Sequence, residues 1–488
     1  MMPAPNICRR ARQARDPRFD GRFIVGVLTT GIFCRPVCPA RLPLEDNVRY
    51  YSSAAAAAQA GYRPCLRCRP EDARALPEWT ISSQTVIRAM RYINGGFLSD
   101  HRVAELASRL NIGVRQLNRL FREELGASPK SIGQMHRAQL AKRLLDQTSL
   151  RISEVALTAG YGSVRRFNDE LRSLFGRTPS QMRQSPRRAS AQPSCGGISL
   201  QLPIREPFNA DWVFGFLGRR ALASLEVVEG HRYMRRVRDD HWITVSYRAA
   251  GLTLGVPDAL IHESAGIVAN TRRIFDLDAD PKVIDERLAE SGTLREWVAD
   301  AAGIRVPGVW NGFEYAVRAI LGQQVSVDRA TALADELFRR FGSTPESLAD
   351  ADVAAIGMPG TRGEAVRSLA RLMLTRGDEL FFDADEARNL LLAIRGIGPW
   401  TAEYIAMRVM RDPDAFPDSD WVVKKMLKVS GAQVRRMAEA WRPWRAYAVM
   451  YLWYGASRVR ADADLRTRAK TSGKTGSKTR VKRAVKSG

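Results

Sequence analysis

No stretch of this 488-residue chain approaches the ~18 consecutive apolar residues a membrane-crossing helix needs, so no such helix is expected. Cysteine is scarce too: there are six, and none follows Cys195, which leaves the carboxy-terminal half without the four thiolates of an iron–sulfur cluster. Acid is missing from the tail. After Leu465 nothing is negative, whereas Arg466, Arg468, Lys470, Lys474, Lys478, Arg480, Lys482, Arg483 and Lys486 are basic. A run so rich in Lys, Ser, Thr and Gly cannot build a core and is expected to be disordered, adding salt-sensitive affinity for polyanions. The opening M-M-P-A-P-N-I-C-R-R lacks a signal-peptide core. A reducing cytoplasm is the expected compartment, since it suits Cys8 and Cys195 as free thiols.

What remains is strongly basic. Net charge is +24, and removing the nine tail cations still leaves +15, the balance of a chain that binds nucleic acid. The length allows three or four domains, each with its own core. Cys34-x3-Cys38 and Cys65-x2-Cys68 have the short, long, short spacing of a tetrahedral zinc site. Spacing alone favours a purely structural site, because closed four-thiolate sites generally are. Arg35, Arg41, Arg63, Arg67 and Arg69 crowd around the quartet and suit phosphate contacts, or a solvated basic rim.

A helical unit then occurs twice. R-V-A-E-L-A-S-R-L-N-I-G-V-R-Q-L-N-R-L-F-R-E-E-L-G-A-S-P starts at Arg102, and R-I-S-E-V-A-L-T-A-G-Y-G-S-V-R-R-F-N-D-E-L-R-S-L-F-G-R-T-P at Arg151. The offset grows by one between the two helices of the unit, so one residue is inserted at the second turn. Helix, tight turn, helix and a Gly-x-[ST]-Pro stop form helix-turn-helix patterning. The groove-facing runs are Val114 to Arg119, with Arg115, Gln116 and Arg119, and Ser163 to Asn168, with Arg165 and Arg166.

From Leu391 the chain reads L-L-A-I-R-G-I-G-P-W-T-A-E-Y-I-A-M-R, then A-F-P-D-S-D-W from Ala415 to Trp421. Gly396 and Gly398 tolerate positive φ, so the backbone of Gly396, Ile397 and Gly398 is expected to meet a phosphate where a helix starts near Pro399. Ile394, Ile397, Ala402, Ile405 and Ala406 recur at helical spacing and should bury one face. Earlier, His241 to Tyr247 alternates as a strand does. Gln184 to Gly197 has linker composition.

Three resemblances attach to these residues. The hairpin, Pro307 to Val327 (P-G-V-W-N-G-F-E-Y-A-V-R-A-I-L-G-Q-Q-V-S-V) and Arg442 to Tyr454 (R-P-W-R-A-Y-A-V-M-Y-L-W-Y) resemble AlkA-type 3-methyladenine DNA glycosylases of the helix-hairpin-helix superfamily. That resemblance implies a catalytic carboxylate at Asp420 rather than Asp418, and a base pocket lined by Trp400, Tyr404 and Trp453. Gln324 stands where better-known relatives carry a Leu wedge. Trp400 occupies the place of the Schiff-base Lys of lyase members, implying a monofunctional enzyme; the hairpin is also a candidate place for a monovalent cation. D-P-R-F-D-G-R-F at Asp16, T-T-G-I-F-C-R-P-V-C-P-A-R at Thr29 and G-Y-R-P-C-L-R-C-R-P at Gly61 resemble the zinc domain of Ada-type regulators. There the residue matching Cys34 takes a methyl group from a methylated DNA phosphate, and Arg35 and Arg67 are its expected phosphate contacts. The repeated unit resembles the AraC-type DNA-binding domain. The Pro-Cys-His-Arg motif for repair of O6-methylguanine is absent.

These readings imply a multidomain chain, mainly α with small α+β parts. It divides into a zinc module (1–78), a double helix-turn-helix (79–184), a linker (185–197), a small antiparallel sheet lobe (198–282), helix-hairpin-helix lobes (283–465) and a basic tail (466–488). The expected partners are damaged and promoter double-stranded DNA, with RNA polymerase as a candidate, for a monomer at the nucleoid. The expected activities are base excision through Asp420 and methyl acceptance by zinc-bound Cys34. The rival is a DNA-binding regulator with an inactive glycosylase portion and a structural zinc site.

Overall fold

Short β-branched and aromatic runs near the amino terminus pair into a four-stranded sheet in a computed structural model that describes residues 2–70, 83–183, 196–248 and 251–460. The strands are β1 (Ile24–Val27), β2 (Ile32–Cys34), β3 (Val48–Tyr51) and β4 (Arg63–Pro64), in the order β3-β1-β2-β4, with β2 and β4 parallel. The helix Ala54–Gln59, capped by the Ser53 hydroxyl, packs on this sheet through Ala55, Ala56 and Ala57. Most of the expected linker, with Cys195, lies outside the described residues. So do the 78/79 boundary and the basic tail.

The repeated unit forms two helix pairs: Val103–Arg109 with Val114–Leu125, and Ile152–Thr158 with Val164–Phe175. Apolar residues at positions i, i+4 and i+8 bury Leu117, Phe121 and Leu125 in one second helix and Phe167, Leu171 and Phe175 in the other. Both second helices end at a glycine with positive φ, Gly126 (70°) and Gly176 (68°), where a left-handed residue closes the last turn. The extra residue of the second copy is Gly162, ahead of Ser163. Ser163 caps its helix by accepting from the Arg166 N–H, whereas Gly113, at the same place in the first copy, offers no side chain. The helix Pro129–Gln147 connects the two pairs.

After Gly197 comes a five-stranded antiparallel sheet: β5 (Ile198–Leu202), β6 (Glu226–Glu229), β7 (Arg232–Arg238), β8 (His241–Arg248) and β9 (Gly251–Val256), ordered β5-β9-β8-β7-β6. Alternation decides which face is inward: Ile243 and Val245 of β8 are buried, as are Leu252 and Leu254 of β9. The helices from Ser264 onward build the remaining lobe. Its tie to the sheet is a buried ion cluster in which Glu314, on the helix Gly312–Leu321, bonds Arg235 of β7 and Arg318. Burial alone would raise the Glu314 carboxyl, but the charges of Arg235 and Arg318 overrule it and hold it down at about 2. Among the described residues no helix is long and apolar enough to cross a membrane.

Candidate functional site

The hairpin sits between the helices Ala384–Leu392 and Pro399–Ile405. Ile394, Ile397, Ala402, Ile405 and Ala406 are all buried, as their spacing requires. Of the two glycines, only Gly396 takes positive φ (97°); Gly398 is extended at −95° and caps the next helix ahead of Pro399. The Ile397 N–H is already used by the Ile394 carbonyl (3.0 Å), so the three-residue cradle expected from sequence narrows to the Gly398 end. A Cβ added at Gly398 would meet nothing within 4 Å, which leaves that backbone open to a close approach.

Behind the hairpin the chain passes through a π-turn, Ala406–Met410, and returns to Asp420. Asp420 is 7% exposed and caps the helix Trp421–Leu427. Its carboxylate accepts three N–H bonds: from Trp400 Nε1 (3.0 Å), Trp453 Nε1 (3.1 Å) and the Val423 backbone (2.9 Å). The two tryptophans predicted as pocket aromatics thus also hold the carboxylate. Asp418, two residues away, turns outward into an ion pair with Arg435 (2.6 Å). Tyr404 stacks on Trp400 with centroids 5.0 Å apart and meets Trp453 edge-on at 6.0 Å. Its hydroxyl is turned away from Asp420, toward Tyr315 (2.7 Å) and the buried guanidinium of Arg408.

Gln324 stands exposed on the turn before the helix Val327–Phe341, with φ of 54°. Sequence reasoning missed its neighbour. Gln323 donates to the Gly396 carbonyl (2.8 Å) and to Thr401 Oγ1 (3.0 Å), tying the Gln324 turn to the hairpin. The doubled Gln at 323–324 was the only available signal.

In the zinc module, Cys34 ends β2, Cys38 follows in the next loop, and Cys65 and Cys68 follow β4. All four Sγ atoms lie within 4.8 Å of one another. Corners of a tetrahedron with Zn–S bonds of 2.3 Å are about 3.8 Å apart, so the donor type, number and closeness fit one Zn2+. Protons serve this cluster badly. Hydrogen bonding with Cys34 lowers Cys38 to about 7, while the thiol of Cys38 foremost pushes Cys34 up. Cys34 is the one sulfur of the four that is not buried. Arg67 is exposed, but Arg35 departs from its expected place on the DNA side: its guanidinium is held by the buried carboxylate of Asp20 and by the Cys68 carbonyl (3.2 Å). A buried acid close by outcompetes solvent for that cation.

Arg115, Gln116 and Arg119 on one second helix, and Arg165 and Arg166 on the other, are exposed at matching positions. Each group occupies the first turns of its helix, leaving the buried stripe below.

Four families match in order: metal binding domain of Ada over residues 7–71, helix-turn-helix domain over 106–185, AlkA N-terminal domain over 199–311, and HhH-GPD superfamily base excision DNA repair protein over 317–445. The probable bifunctional transcriptional activator/DNA repair enzyme AlkA of Mycobacterium tuberculosis is 39% identical, spanning 91% of this chain and 95% of its own length. DNA-3-methyladenine glycosylase 2 of Escherichia coli is 34% identical over 51% of this chain and 94% of its own. The bifunctional transcriptional activator/DNA repair enzyme Ada of the same organism is 34% identical over 35% of this chain and 46% of its own. An Ada-type metal module and helix-turn-helix precede an AlkA-type HhH-GPD portion here as one continuous match, and this chain belongs to the family of the mycobacterial AlkA protein.

Proposed function

We propose that the protein excises alkylated bases of the 3-methyladenine type from double-stranded DNA and senses methylated backbone phosphates, acting as a transcriptional regulator. One observation carries the enzymatic half: a nearly buried carboxylate, Asp420, held by two indole N–H groups and a helix N-terminus, with aromatic faces beside it. A base made cationic by methylation leaves with the electron pair of the C1′–N bond and becomes neutral. The negative charge of Asp420 stabilises the oxocarbenium-like sugar, and a water that it orients adds to C1′ and loses its proton to solvent. The Gly398 end of the hairpin receives a phosphate, Gln324 fills the gap left by the flipped nucleotide, and Trp400, Tyr404 and Trp453 line the pocket. With Trp400 at the Schiff-base place, the enzyme is monofunctional.

Cys34, Cys38, Cys65 and Cys68 would hold one Zn2+, which when bound would keep the four sulfurs as thiolates. The sulfur of Cys34, the least buried of the four cysteines, attacks the methyl carbon of a methylphosphotriester: an S–C bond forms, the O–C bond breaks, and the charge passes to the phosphate oxygen. The spent site is less anionic, which strengthens DNA binding by the neighbouring basic groups. Arg67 is the phosphate contact, and Arg35 orders the metal loop through Asp20. Arg115, Gln116, Arg119, Arg165 and Arg166 read promoter grooves as a monomer that meets RNA polymerase there.

Base release from methylated DNA by wild type and Asp420→Asn tests the first activity. Release by wild type alone is the expected result, and none by either form leaves a regulator that merely holds DNA. Mass spectrometry of Cys34 after exposure to methylphosphotriester DNA tests the second, with one added methyl expected.

A further inference from the structure

The DNA-reading half grips the base-excision half at a particular place. Arg91 lies on the helix Gln84–Asn94, the first described helix of the DNA-reading half. Its guanidinium donates to three carbonyls of the excision lobe: Phe381 (3.0 Å), Phe382 (3.3 Å) and Met410 (2.9 Å). Tyr92, the next residue, bonds Glu379 through its hydroxyl and packs edge-on against Phe382 at 4.9 Å, and Arg109 approaches the same Glu379 at 3.7 Å.

Met410 matters because it closes the π-turn Ala406–Met410. A helix end leaves carbonyls without an intrahelical donor, and wide turns of this kind store a local irregularity that something must hold. Here the turn swings Arg408 inward. The buried Arg408 guanidinium bonds the Pro307 and Gly308 carbonyls and the Tyr315 and Tyr404 hydroxyls. Tyr404 in turn stacks on Trp400, which donates to Asp420. A continuous set of contacts therefore runs from the DNA-reading half to the carboxylate.

We propose that Arg91 is a positioning residue for base excision: by capping the carbonyl end of the π-turn, it holds Arg408 under Tyr404 and so sets the aromatic wall beside Asp420. The base pocket is then completed by a module whose own Arg115, Gln116, Arg119, Arg165 and Arg166 stay exposed, so capture of a duplex by that module reaches the pocket through the Gln84–Asn94 helix. The inference rests on the base-excision reading.

The test uses the full chain, as wild type, Arg91→Ala and Arg91→Lys, on duplex DNA carrying N-methylated purines under single-turnover conditions. Arg91→Ala is expected to slow base release about tenfold at saturating DNA, as loss of a charge-assisted cap implies, while the half-saturating DNA concentration moves less than about twofold. Arg91→Lys, which keeps the charge but cannot span three carbonyls, should fall between. A purely structural role would instead lower the melting temperature and leave the rate of the folded fraction unchanged, and equal rates in wild type and Arg91→Ala overturn the proposal. Hydrogen exchange of the Ala406–Met410 amides gives a second arm that needs no activity. Faster exchange there in Arg91→Ala supports the brace even should no form release a base, and unchanged exchange overturns it.

Discussion

Asp420 and Cys34 place negative charge by opposite means. The carboxylate is surrounded by donors that the chain itself supplies, two indoles and a backbone amide, so packing alone assembles them. The four sulfurs have one another for neighbours, so their site is complete only with a cation that balances four thiolates. The lesson is that one site is preorganised by packing and the other by metal, and they should fail under different insults.

Chelation should separate them most sharply. Removing zinc is expected to abolish methyl uptake at Cys34 while base release changes less than about twofold, because the three donors to Asp420 come from Trp400, Val423 and Trp453 and none from the metal module; parallel loss of both activities would show the sites to be dependent. Asp420→Asn should act in reverse, lowering base release by about 10^2–10^3-fold with zinc content and methyl uptake untouched, whereas Asp418→Asn, which alters only an exposed ion pair, should leave the rate within about twofold. Glu314→Gln probes the packing that preorganises the carboxylate site. It leaves Glu226 as the carboxylate shared by the buried Arg235 and Arg318 and should cost about 3 kcal/mol, read by denaturant melts at neutral pH. The same pair sets an acid limit. Glu314 is depressed from the ordinary 4.5 to about 2, so its stabilisation is full above pH 4.5 and is lost as pH falls toward 2, and the Gln form should show no such loss from this group. A milder loss than that of Asp420→Asn belongs to Trp400→Phe, which keeps a stacking ring but removes one donor to Asp420. About a tenfold slower release is expected, measured under single turnover.

Much of this was legible in local spacing. Metal ligands, the duplicated helix pair and the hairpin are each specified by residues within a few turns of one another, and periodicity reports which side is buried. Cys34, Cys38, Cys65 and Cys68 gather as their intervals suggested, and His241 to Arg248 is a strand of the antiparallel sheet. Partner choice across the fold was not legible. Nothing near Arg35 in sequence says that Asp20 will take it, and Arg91 finds its carbonyls only because segments some 290 residues or more apart in the chain meet. Gly398 could take positive φ, yet the Pro that follows favours extended backbone before it, and the structure obeys the proline. Gln323 escaped notice because its task depends on a turn lying beside the hairpin, which no periodicity encodes.

Asp420 also begins a helix, and that double duty shapes what substitutions and evolution can do with it. An amide in its place keeps an oxygen for the Val423 N–H and alters charge alone, whereas alanine would loosen the helix start by about 1 kcal/mol and confound chemistry with folding. On the proposed role, an apolar replacement would be felt twice, once in turnover and once in the helix start. A lineage that no longer needed catalysis would drift toward asparagine or serine here before anything apolar, and such a residue in a sister sequence would mark a retired enzyme that still keeps its shape.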